Sequence, residues 1–150
     1  MRILFFMSLL LGFLHLENQL KLTNPDLPDS SIQGRWAPKS MQTQYVVDSH
    51  LVHEEEHAPE KNKIYVFDNA TVRVEYTGGH TVPGTYRIYN EDDRKKIVIQ
   101  LPGTTATYNL IALTATSMVW QQDLDNTSYQ AGTELKSAER AIYTQVFIKL

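Results

Sequence analysis

The sequence predicts an all-β domain, an eight-stranded antiparallel up-and-down barrel, and three observations carry that expectation. From Ile32 onward, short runs rich in β-branched and aromatic residues dominate. Turn residues separate the runs at short intervals, and apolar and polar residues alternate within them. Connections this short force neighbouring strands to be antiparallel, because a parallel pair needs a crossover of about a dozen residues. A twisted meander with one apolar face can then hide its edge strands by closing on itself.

The chain opens differently. Arg2 is a short positive head, and Ile3–Leu16 form an apolar run interrupted by Ser8, Gly12 and His15. That is the layout of a secretory signal, shorter than the roughly 18 apolar residues that span a bilayer. Residues 1–16 are read as a signal peptide; no small-x-small triplet follows them, and an uncleaved anchor is the other reading. Residues 17–31 are read as a linker: Thr23–Ser31 holds two prolines, two aspartates before serine and leucine, and no periodic apolar face. The folded domain is placed at 32–150.

Within it the expected strands are Gly34–Val47, Lys63–Asp68, Thr71–Thr77, Val82–Asn90, Lys95–Leu101, Thr104–Leu113, Thr116–Asp123 and Glu139–Leu150. Asp68-Asn69, Gly78-Gly79-His80, Asn90–Asp93, Pro102-Gly103 and Thr114-Ala115 supply turns between them. Thr71–Tyr76 shows the alternation plainly, with Val72, Val74 and Tyr76 on one side and Arg73 and Glu75 on the other. Two stretches lack it. His50–Asn62 is charged and Asn126–Ala138 is poor in apolar residues, so both are expected as loops at a barrel end.

Composition narrows the function. The 150 residues are 42% hydrophobic and 21% charged, enough apolar content for a core. The net charge of −3 is scattered, leaving no basic stripe for nucleic acid. The absence of cysteine excludes a disulfide framework, a thiolate nucleophile, a cysteine zinc site and a lipid-bearing cysteine. Together with the leader this points to an exported bacterial protein, periplasmic or extracellular, with no membrane segment in its mature form. In that setting the sequons Asn69-Ala70-Thr71 and Asn126-Thr127-Ser128 carry no meaning.

His53-Glu54-Glu55-Glu56-His57 satisfies His-Glu-x-x-His, with His50 one helical turn earlier. On a helix the imidazoles would share a face and could hold zinc. The stretch is polar throughout and stops at Ala58-Pro59, so it reads as a solvated loop, with metal binding at His50, His53 and His57 as an alternative function. No Gly-x-Ser-x-Gly, recurrent acidic pair or phosphate loop is present, so neither an enzyme nor a cofactor is expected. The barrel interior remains. Val74, Tyr76, Tyr86, Ile88, Tyr108, Met118 and Trp120 turn inward by alternation and are the candidate ligand-binding residues. They offer apolar walls with a few polar tips, which suits a small hydrophobic molecule. The same rings can instead fill a small barrel, leaving a packed interaction or accessory domain.

Gly34-Arg35-Trp36, at the head of the first expected strand, resembles the Gly-x-Trp signature of lipocalins and of the bacterial lipocalin-like domains. Ile64–Asn69, Pro83-Gly84-Thr85-Tyr86, Tyr108–Thr114 followed by Met118-Val119-Trp120, and the ending Phe147-Ile148-Lys149 are similar to later passages of that family. The resemblance covers Ile32–Leu150. It implies a lipocalin-like antiparallel barrel with an apolar interior and with the indole of Trp36 plugging the closed end. A basic residue of the last strand, here Lys149, is implied to pack across that indole. No particular ligand is implied.

Overall fold

The computed structural model describes residues 29–150. The expected signal peptide, and the linker as far as residue 28, lie outside the described residues. Nine strands follow: β1 (Gly34–Val47), β2 (His50–His57), β3 (Lys63–Asp68), β4 (Thr71–Tyr76), β5 (Thr81–Glu91), β6 (Arg94–Leu101), β7 (Thr104–Leu113), β8 (Ser117–Ala131) and β9 (Glu134–Lys149). Every pairing is antiparallel, in the order β2-β1-β3-β4-β5-β6-β7-β8-β9. A further pairing of β1 with β9 closes the sheet in a ring.

All eight expected strands occur, as β1 and β3 to β9, and β2 hangs on β1 outside the ring. Both expected loops are corrected. His50–His57 is strand β2, and Asn126–Ala138 is the far part of the β8–β9 hairpin. Glutamate and histidine have little intrinsic preference for strands, but Met41–Val47 overhangs the ring and offers β2 a pairing edge along its whole length. Reversal at Asp48 and Ser49, with φ of 49° and 64°, turns the chain straight back onto that edge.

The ring is held unevenly. Strands β1 and β3 pair only over Gly34–Trp36, and β7 and β8 only over Asn109–Leu113 with Met118–Gln121. By contrast β8–β9 runs from Ser117 to Glu134 and β1–β9 from Trp36 to Val46. Two walls result, β3 to β7 on one side and β2-β1-β9-β8 on the other, joined at one end and parting at the other.

The joined end is sealed. Ile32 and Trp36 are fully buried, and the Trp36 indole N–H donates to the Ile32 carbonyl at 2.7 Å. Lys149 Nζ lies 5.2 Å from the Trp36 ring centroid, a cation–π distance. Gly34 makes this approach possible: its φ is +118°, and a Cβ there would stand 2.8 Å from Lys149 Cε. Gln33 ties the segment down, donating to the Tyr86 hydroxyl at 2.7 Å and accepting from the Asn69 N–H at 2.7 Å. The core runs up from there through Phe67, Val72, Val74, Tyr65, Ile97, Ile99, Met118, Trp120 and Phe147.

Candidate functional site

All seven residues expected to line the interior lie in one hydrophobic cluster. Val74, Tyr86, Met118 and Trp120 are buried in it, and Tyr76, Ile88 and Tyr108 pack against it. They do not share one level. The Tyr86 hydroxyl donates to the Asn69 carbonyl at 2.7 Å, at the closed end, and Ile88 and Met118 are on the same side. Val74 and Trp120 are mid-height. Tyr76 and Tyr108 stand at the open end and remain half-exposed.

The middle is filled by rings. Trp120 stacks on Tyr108 at 4.7 Å between centroids and meets Tyr65 and Phe147 edge-on at 5.4 and 4.3 Å. Its indole N–H donates to Gln145 Oε1 at 3.0 Å, which satisfies the one polar atom that such burial would penalise. Three cavities, of about 390, 390 and 340 Å³, are described; they lie on the outer faces and in the far hairpins. None is lined by any of the seven residues. A ligand cavity bordered by the seven expected residues is therefore not among the described cavities.

At the open end the chemistry changes from apolar to polar. Lys63, the first residue of β3, shares a face with Tyr65 and Phe67 and so points into the ring. Its ammonium pairs with Glu60 at 3.1 Å and lies 5.1 Å from the Tyr65 ring centroid. Tyr108 of β7 and Tyr143 of β9 each take a smaller electrostatic influence from Lys63 and Glu60 than from their own burial. Burial pushes the Tyr65 phenol up to about 12, and raises Tyr108 and Tyr143 as well. Burial also works against the Lys63 charge, but Tyr65 and Glu60 outweigh it and hold the ammonium above the ordinary lysine range. At neutral pH the mouth thus presents one ammonium and three protonated phenols, which are hydrogen-bond donors.

No protein-family model, curated protein or solved structure matches this chain. The site accordingly rests on its own geometry.

Above the mouth the overhanging wall continues the same inward face. Thr43 and Tyr45 of β1 lie beside Glu55 and His53 of β2 and beside Tyr143 and Ala141 of β9. His57 Nε2 and Thr43 Oγ1 share a hydrogen bond of 2.9 Å, and the Tyr45 hydroxyl donates to Glu55 at 3.2 Å. His53 lies 3.3 Å from Glu55 and stacks on Tyr129 of β8 at 4.9 Å. Strands β2 and β8 are the two edges of this wall, so the stack means that the wall curls until its edges approach. On a strand, residues four apart are separated by about 13 Å, which removes the helical geometry expected for a metal at His53 and His57. His50, beyond a bulge, has its ring on the Asp48 carbonyl at 2.6 Å.

Lys63, Glu60, Tyr65 and Tyr143 were not among the residues singled out from the sequence. Ile64–Phe67 is apolar at every position, so alternation alone leaves the inward side undecided.

Proposed function

We propose that the protein is an exported, non-enzymatic lipocalin-like binding module that takes a small, largely apolar ligand at the open end of its barrel. The deep interior serves as the core that holds the site. One observation carries this reading: on the parting walls the inward face keeps part of its apolar surface in solvent. Ile32, Trp36, Val74, Met118 and Trp120 are fully buried, whereas Lys63, Tyr76, Val82, Leu101 and Tyr108 on the parting walls keep part of their surface in solvent. Apolar walls with a few convergent polar groups are what small-molecule sites consist of.

An apolar, environment-sensitive dye tests the proposal. Its emission should rise saturably at one equivalent, and Tyr76→Ser or Tyr108→Ala should weaken the response. A silent titration would favour a second reading, a packed interaction or accessory domain. Trp120 supports that alternative, since it is fully buried and touches three rings.

A further inference from the structure

We propose that a second copy of this chain docks on the outer face, and that the two copies exchange arms: the tip of each β8–β9 hairpin seats Leu135 in a groove of the other, on Ile111.

The arm is left open by its own fold. The β7–β8 ladder ends at Gln121 and the β1–β9 ladder at Arg140, so from Asn126 to Glu139 the two strands have only each other as partners. A two-stranded ribbon has little stability in water by itself. Tyr129 and Ala138 pack it on Tyr45 of its own chain. Its tip instead carries Leu135, at 71% the most exposed large apolar side chain among the described residues. Glu134 and Lys136 flank it, exposed and only loosely paired at 4.0 Å.

The groove is a cavity of about 390 Å³ on the outer face beside the β7–β8 seam. A bulge in β7 turns Ile111 into it, 55% exposed, and Ile142 of β9 lines the same cavity. Asp93 and Arg94 border it from the β5–β6 turn and the start of β6, and Asp123 and Arg140 from β8 and β9. Asp123 and Arg140 stand 3.9 Å apart, and Asp93 and Arg94 form no ion pair with another described residue, so no strong pair has to break. Apolar surface with both signs of charge at its rim is the complement of the tip, a leucine between a glutamate and a lysine.

The spacing makes the exchange reciprocal. Along β9, Leu135 lies roughly five to seven residues, or about 17–23 Å, from Arg140 and Ile142. A two-fold axis midway brings each tip to the other copy's groove, so that both contacts are the same. Midway lie Asn126, Thr127, Ser137 and Ala138, small or uncharged residues that border a second cavity of about 390 Å³ and let two arms cross closely. Glu139, the charged residue bordering that cavity, accepts from the Asp48 N–H of its own chain at 3.1 Å. Each arm is about 23 Å long and about 10 Å wide. Two arms laid in two grooves remove on the order of 1,000 Å² of surface, near the lower limit of specific interfaces, which places the dimer in the micromolar range.

Sedimentation velocity at protein concentrations from about 1 to about 200 µM tests this, with a monomer–dimer equilibrium expected. Leu135→Asp and Ile111→Lys should each weaken the dimer at least about tenfold. Melts of the dilute protein should stay unchanged, because both side chains stand in solvent in the single chain. The double variant sets aspartate against lysine at both contacts, and should associate at least about tenfold more tightly than either single variant. A monomer at every concentration overturns the proposal. A dimer indifferent to Leu135→Asp overturns the arm, one indifferent to Ile111→Lys overturns the groove, and a double variant no tighter than the singles overturns their contact. Assemblies that keep growing past the dimer overturn the reciprocal geometry, since tips seated head-to-tail do not close.

Discussion

Gly34 meets two demands that no other residue type meets together. Its φ of +118° lies where side chains are strained, and the space beside it is filled by the Lys149 stem. Gly34→Ala should therefore cost about 1–3 kcal/mol in a denaturant melt. Trp36→Ala, which empties the sealed end and orphans the Ile32 carbonyl, should cost about 3–5 kcal/mol. Equal losses below about 1 kcal/mol would mean that this end is not a structural plug. Tyr65 makes a different prediction at the same scale. Its phenol titrates at 10.0 in its ordinary state and at about 12 in the fold, with burial the largest cause. Between those values the unfolded chain has lost the proton that the folded chain keeps, so stability falls as pH rises from 10 to about 12 and levels off beyond. The loss amounts to about 2–3 kcal/mol. Lys63, also raised, shifts stability in the same direction. Tyr65→Phe should flatten the alkaline decline by roughly that amount in melts between pH 9 and 12; an unchanged slope would show that the phenol is not protected.

Strand β2 marks how far the elements could be read from the sequence. Thr71–Tyr76 and Lys96–Leu101 were legible because their apolar residues recur at every second position and turns bound them. His50–His57 has no such pattern, and the Asp48-Ser49 reversal lacks glycine, so the hairpin gives no local signal. Pairing with β1 supplies what propensity withholds, an override that only the tertiary structure reveals. Both turn residues have positive φ, which Asn-Gly adopts more readily than Asp-Ser. The double substitution Asp48→Asn, Ser49→Gly should therefore raise stability by about 0.5–1 kcal/mol. Destabilisation would mean that the turn differs from the one described. The loop reading also implied that replacing the histidines would leave stability unchanged. As a strand residue stacked on Tyr129 and near Glu55, His53 should instead cost about 0.5–1.5 kcal/mol on replacement by alanine.

At the scale of the whole molecule, the meander and its order were readable, whereas the splaying of its walls was not. Splaying depends on how long neighbouring strands stay paired, and that depends on the overhangs of β1, β8 and β9 past Met41, Gln121 and Gln145. In the sequence the β1 overhang reads as the end of a strand, and Asn126–Ala138, which makes most of the other two, reads as a loop. With so little pairing between the walls, side chains must brace them, and Trp120 is placed to do so. It projects from β8 and touches Tyr65 of β3 and Tyr108 of β7 on the opposite wall, and Phe147 of β9 on its own. Trp120→Ala removes a fully buried indole and leaves the Gln145 acceptor unpaired. The expected cost is about 3–5 kcal/mol, with a cavity left between the walls. Such a cavity is apolar and lies just beneath the open end, so the variant should bind an apolar dye at least as well as the parent chain. Reading Trp120 as a ligand contact alone predicts the reverse, a weaker response. The two roles separate in one pair of titrations, read beside a melt: lost stability with retained or increased dye binding identifies a brace, and unchanged stability with lost binding identifies a contact.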